Sequence, residues 1–152
     1  MSKLPHPLRG VVAVVPRGGK LLVIERSQLV RAPGMFCFPG GGIEAGESEA
    51  DAVVRELLEE LALHAVAARQ LWTSITPWNV ALSWWLAHVE PDAAPVPFAA
   101  EVASFHWLSV AEIRGRSKLL ASNLDFLAAW ERGEFVIDGL TLSSATSSGI
   151  AD

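Results

Sequence analysis

The sequence predicts an α/β fold, a single-domain sandwich of mixed strands with two or three helices. Three observations carry this. Short, β-branched apolar runs recur along the chain, one strongly patterned helical segment interrupts them, and no repeat or linker divides the 152 residues. A chain of this length buries about 70% of its unfolded surface on folding. With 51% hydrophobic residues, six Trp and six Phe, it has the material for a packed core and not the composition of a disordered chain.

The elements follow in order. Residues 9–16 (RGVVAVVP) and 20–26 (KLLVIER) are strand-like runs separated by Arg17-Gly18-Gly19, which reads as a hairpin turn. A Pro- and Gly-rich loop is expected over 32–46, with Phe36 and Phe38 alternating inside it. Ser48 has the character of an N-cap, with Asp51 as a short-armed capping-box partner, so a helix is expected from about Glu49 to Leu61. Residues 67–75 and 80–89 read as strands, 92–97 as a Pro/Ala-rich connection, and 105–108 as a further short strand. Val110 to Ile113 starts a helix with Glu112 in its first turn, and a last helix is expected over Asn123–Arg132, stopped by Gly133. The domain is expected to span 1–142, and the small, polar stretch 143–152 to be a mobile tail.

The formal charge of -5 argues against a general nucleic-acid binder, which needs clustered Lys and Arg. A phosphate ligand stays compatible with that charge, because a bound divalent cation reverses the field of an acidic pocket. Cys37 is the only cysteine and can form no internal disulfide, which fits a reducing compartment. The first residues, MSKLPHPLRG, lack a signal-peptide core, and no run of about 20 apolar residues could span a bilayer. A cytoplasmic protein without a membrane partner is expected. The apolar composition permits a homodimer without demonstrating one.

Arg55-Glu56-Leu57-Leu58-Glu59-Glu60 is the informative segment. At about 100° per residue, Glu56, Glu59 and Glu60 fall near roughly 0°, 300° and 40°, so the three carboxylates share one narrow helical face. Ala50, Val54, Leu57, Leu58 and Leu61 are expected to form the buried side. Three clustered carboxylates repel one another unless a cation sits among them. Oxygen-only ligation points to Mg²⁺ or Mn²⁺, and no His or Cys stands at zinc-ligand spacing nearby. The segment alone fits a solvated acidic face equally well. The preceding Pro39-Gly40-Gly41-Gly42-Ile43-Glu44-Ala45-Gly46-Glu47 shifts the balance, because its glycines let backbone approach a metal or phosphate without a Cβ in the way.

Loop and helix together resemble the signature of the Nudix family: Gly, five residues, Glu, seven residues, then Arg-Glu-apolar-any-Glu-Glu-any-Gly-apolar. Gly41, Glu47, Arg55, Glu56, Leu57, Glu59, Glu60 and Leu63 fall in register, and Ala62 stands where the family has Gly. The resemblance reaches from the first hairpin to the last helix. It implies an α/β/α sandwich with a mixed sheet, and a metal-dependent enzyme that cuts a diphosphate bond in a small nucleotide. It further implies that Glu56, Glu59, Glu60 and the Gly40 carbonyl bind Mg²⁺ or Mn²⁺, and that Arg55 holds the carboxylates through Glu47. A helix ending at Ala62 would have to close differently or carry about 1 kcal/mol of strain, with no ligand lost.

Outside the signature the resemblance to MutT-like members implies further roles, each with a plain structural alternative. Glu101, six residues before Trp107, matches an additional metal-binding or base-like Glu, or is a loop-end surface residue. Arg26 matches an Arg that contacts phosphate, or is an Arg at a hairpin edge. Asn123 matches an Asn that hydrogen-bonds oxidised guanine, or is the N-cap of the last helix. Phe38 and Trp78 are candidates to stack on a base, with core packing as the alternative, and Gly41 is a candidate substrate contact. Hydrolysis of a nucleoside triphosphate, oxidised dGTP included, is the leading expectation. ADP-ribose or another nucleoside-diphosphate derivative is the second, loosely supported by Pro77, and a non-catalytic nucleotide sensor is the third.

Overall fold

The computed structural model describes residues 8–142, so the polar tail at 143–152 lies outside the described residues. The β-branched first run becomes β1 (Leu8–Val14), followed by β2 (Pro16–Arg17) and β3 (Lys20–Arg26). Gly18 and Gly19 turn the chain between β2 and β3 at φ 59° and 78°, values that glycine adopts without a Cβ penalty. The stretch expected to be irregular contains two short strands, β4 (Phe36–Cys37) and β5 (Gly40–Gly42). Then come α1 (Glu49–Leu61), β6 (Ala65–Ile75), β7 (Val80–Val89), β8 (Val102–Leu108), α2 (Val110–Arg114) and α3 (Ala121–Glu131).

These strands make two four-stranded sheets. The first has the order β5-β1-β7-β6 and is mixed, because β1 runs parallel to β7 while β5 and β6 pair antiparallel. The second is antiparallel and centred on β3, which pairs β2 and β4 along one edge and β8 along the other. Strand alternation sends side chains to opposite faces. Val11, Ala13, Val15, Leu22 and Ile24 therefore pack with Ala52, Val53, Leu57 and Leu61 of α1, and Val12, Val14, Leu21 and Val23 pack with Phe126, Leu127 and Trp130 of α3. The helices thus cover both faces, giving an α/β/α sandwich. No helix among the described residues is long and apolar enough to cross a membrane.

The α3-side core is aromatic. Trp84 and Phe126 stack at 4.6 Å between centroids, Phe126 and Phe135 at 4.7 Å, and Phe38 sits edge-on to both Trp84 and Phe126. The helix α3 begins at Ala121, two residues before the expected start, with Leu120 as its N-cap, so Asn123 is not the cap. Its amide does another job. Asn123 Oδ1 accepts the Phe38 N–H at 2.9 Å, which ties α3 to the strand leading into the glycine loop.

Two polar devices set α1. At its start, Ser48 Oγ accepts the Asp51 N–H at 3.1 Å, and Glu49 accepts from Ser83 Oγ (2.6 Å), Trp85 Nε1 (2.9 Å), Gln70 Nε2 (3.2 Å) and Arg9 (3.2 Å). That carboxylate pins the first turn to β1, β6 and β7. At its end Ala62 adopts the left-handed conformation a glycine would take, φ 54° and ψ 33°, and its N–H reaches the Leu57 and Leu58 carbonyls. The helix therefore does not close differently for want of the glycine.

Candidate active site

The site is built where α1 faces the glycine loop. Gly40 pairs with Val12 of β1, and a Cβ on it would collide with the Val11 carbonyl, so the loop backbone lies hard against the sheet. A Cβ on Gly41 would collide with the Glu56 carboxylate. Glycine at these two positions is what lets loop and helix carboxylates share one narrow space.

The expected partition of α1 needs correction. Glu56 and Glu60 are 8% and 7% exposed and lie on the buried face beside Leu57 and Leu61, whereas Leu58, expected inside, is 45% exposed. Ala50 and Val54 are only half-buried, and Ala52 and Val53 take their place in the core. Glu59 points outward and its carboxylate meets Arg55 at 3.1 Å. The three carboxylates thus form a buried pair and one exposed member. Among the described residues, no three Asp, Glu, His or Cys side chains converge as metal ligands do.

Burial shows in the protonation of the pair. Glu60 is pushed up to about 8, first by burial and then by the nearby Glu56 charge, while the Gly40 N–H donated to its Oε1 at 3.1 Å pulls the other way. Glu56 is also raised by burial, with Arg55 opposing. The exposed Glu101 adds its negative charge to the upward shift at both. Two carboxyl groups held above their ordinary range, first by burial, fit a hard divalent cation, which would restore the charged form of both. The all-oxygen donor set, together with the space that a Cβ at Gly41 would fill, agrees with that chemistry.

Arg55 organises the surroundings. Its guanidinium makes a two-pronged contact with Glu47, Nε to Oε2 at 2.7 Å and Nη2 to Oε1 at 2.9 Å, and also reaches Glu56 at 3.1 Å and the Gly42 carbonyl at 2.8 Å. Those bonds hold Glu47 down to about 2 and raise the Arg55 pKa further above its ordinary value. One side chain therefore binds the loop, its Glu47 end and two helix carboxylates together.

Other expected site residues divide. Arg26 lies beside the pair: its Nε donates to the Arg31 carbonyl at 2.7 Å, its Nη1 contacts Cys37 Sγ at 3.9 Å, and its charge favours ionisation of Glu60. Phe38 is 3% exposed and belongs to the aromatic core, so it offers no face to a base. The core alternative is the correct one for that residue. Asn123 is 2% exposed with its oxygen engaged by Phe38. Trp78 is 66% exposed, but it stands on the β6–β7 turn, next to Asn79, whose carbonyl accepts the Leu8 N–H; Gly40 instead pairs four residues further along β1. Two neighbours of the site escaped sequence reasoning. Cys37, read only as a redox marker, is buried in contact with Arg26, and burial pushes its thiol up to about 11. Ser27, 5% exposed, hydrogen-bonds the segment carrying Glu101. Its place directly after a strand-ending Arg was the only available signal.

Known proteins resemble this chain in sequence and in fold. The protein is 42% identical over 55 residues, 36% of its length, to the CTP pyrophosphohydrolase of Escherichia coli, of which the match covers 41%. It is 40% identical over 58 residues, 38% of its length, to the ADP-ribose pyrophosphatase of Methanocaldococcus jannaschii, of which the match covers 34%. The chain thus spans less than half of each curated relative. Among solved structures, the MutT protein of Methanosarcina mazei Go1 superposes with a TM-score of 0.73 at 26% identity, covering 86% of this chain and 98% of that one. The sequence profile of the NUDIX domain matches residues 5–130, a stretch containing both sheets, the glycine loop and the carboxylate helix. The loop and helix that form the site lie within that match, and the chain belongs to the NUDIX domain family.

Proposed function

We propose that this chain is a metal-dependent pyrophosphohydrolase that cuts a nucleoside triphosphate, oxidised dGTP among the candidates, into nucleoside monophosphate and pyrophosphate. The observation that carries the reading is the buried Glu56–Glu60 pair facing the Gly40–Gly41 backbone. Glu56 and Glu60, with the Gly40 carbonyl and Glu59, would hold Mg²⁺ or Mn²⁺. Such an ion, when bound, neutralises the diphosphate, polarises phosphorus and lowers the pKa of the attacking water. Arg55 and Glu47 hold the carboxylates in place, and Arg26, fixed beside Glu60, is the cation set to meet a phosphate oxygen. The Gly41 backbone lines the approach. Proton removal falls to Glu101 or to a helix carboxylate. A base contact at Asn123 requires its Oδ1 to release the Phe38 N–H, and stacking on Trp78 requires the base to reach the β6–β7 turn.

A second reading, cleavage of ADP-ribose or a related nucleoside-diphosphate derivative, uses the same residues and is favoured by the likeness to the Methanocaldococcus enzyme. A panel of nucleoside triphosphates, oxidised dGTP, CTP and ADP-ribose with Mg²⁺ or Mn²⁺, read by product mass, separates the two. Nucleoside monophosphate and pyrophosphate are the expected products. Preferred release of AMP and ribose phosphate from ADP-ribose supports the second reading. Absence of cleavage with either metal overturns both and leaves a nucleotide sensor.

A further inference from the structure

Glu101 is exposed on a loop, yet backbone hydrogen bonds through Phe98 tie that loop to the Glu60 carbonyl of α1. The regular β3–β8 ladder does not reach it. The ladder breaks between Glu25 and Arg26, which pair with Ser104 and Val102, leaving Ala103 as the extra residue of a bulge. Beyond the break one residue takes over. The Ser27 N–H donates to the Glu101 carbonyl at 3.0 Å, and the Ser27 hydroxyl donates to the Ala100 carbonyl at 2.7 Å. The same oxygen accepts the Leu29 N–H at 3.1 Å, closing a serine turn that fixes the hydroxyl's direction. From Glu101 the bonds continue: its N–H reaches the Phe98 carbonyl at 2.9 Å, and the Phe98 N–H reaches the Glu60 carbonyl at 2.8 Å.

We propose that Ser27 is a positioning residue whose buried hydroxyl holds the Glu101 loop in register with α1 and so sets the affinity of the Glu56–Glu60 site for a divalent cation. The inference rests on the proposed placement of Glu101 at the cation site. A buried hydroxyl with both a donor and an acceptor partner resists replacement, because its loss leaves the Leu29 N–H without its acceptor and the Ala100 carbonyl without its donor. Residues that orient a metal ligand through hydrogen bonds change affinity or activity by roughly 10- to 100-fold when lost.

The test measures Mn²⁺ affinity by electron paramagnetic resonance, with kcat and KM for the cleaved nucleotide alongside, in the wild type, Ser27→Ala, Glu101→Gln and the double variant. Ser27→Ala is expected to weaken Mn²⁺ about tenfold and to lower kcat similarly, with KM moving less than about twofold. Ser27→Thr, which keeps the hydroxyl, should restore both. In the Glu101→Gln background, Ser27→Ala should add nothing. Equal weakening by Ser27→Ala in both backgrounds overturns the proposal, as does wild-type Mn²⁺ affinity in Ser27→Ala. If the alanine variant does not fold, Ser27→Cys, which keeps the volume but donates only weakly, carries the same comparison. Unchanged Mn²⁺ affinity in Glu101→Gln refutes the placement of Glu101 and Ser27's role with it. The Mn²⁺ readout needs no substrate, so the proposed activity stands or falls separately on wild-type turnover.

Discussion

Ala62 holds a conformation that its Cβ disfavours, at φ 54°, in order to end α1 and turn the chain into Leu63. A left-handed alanine costs about 1 kcal/mol relative to glycine. Ala62→Gly is therefore expected to stabilise the protein by about 1 kcal/mol, seen as a higher denaturation midpoint, with turnover unchanged. A lower midpoint would show that alanine's methyl contributes packing that outweighs the strain. Other residues show where single-residue reading stops. The match of Asn123 to a base-binding asparagine was visible in Ser122-Asn123-Leu124, but its bond to Phe38 spans 85 positions of sequence and leaves no local trace. Phe38 lies in the same loop as Gly40 and Gly41, and only the packing of Trp84 and Phe126 around it shows that its ring is core.

At the scale of elements, α1 was legible in length and cap, because Ser48 and the apolar spacing are local signals. The angular grouping of its glutamates was legible too. Which arc of the helix is buried was not, because α1 is covered by β5 and the Gly40 loop as well as by the sheet, so the polar edge of the apolar face is enclosed. The strand β5 was missed because Gly40–Gly42 has no side chains to show a period of two, and its pairing with β1 is fixed by close backbone approach. Enclosing the helix edge has a consequence for stability. The fold favours the protonated form of Glu60, whose value rises from 4.5 to about 8, so its contribution is complete below about 4.5 and is lost as pH climbs through about 8. In chelator-treated protein, Glu60→Gln is expected to melt higher than the wild type at about pH 9 and close to it at about pH 5. An equal difference at both pH values would show that Glu60 does not carry a buried charge.

For the whole molecule, the mixed order of strands and helices was enough to anticipate an α/β sandwich, and the aromatic count enough to anticipate a dense core. The division into two sheets was not, because β1 and β3 lie close in sequence yet belong to different ladders. That division is what makes the site. The sheet containing β1 carries the glycine loop on its edge strand, the sheet containing β3 carries Arg26, Ser27 and the Glu101 loop, and α1 brings Glu56 and Glu60 to where the two meet. In the proposed reading, reaction chemistry falls to this junction and base recognition to Asn123 and Trp78, which the sequence places less firmly. The central claim is that the buried pair on α1 is the cation site of a diphosphate-cleaving enzyme. Its most direct test is the Mg²⁺-dependent kcat of Glu56→Gln on the nucleotide the wild type cleaves. A loss of at least about 100-fold with the fold retained is predicted, and turnover within about twofold of wild type would contradict the account.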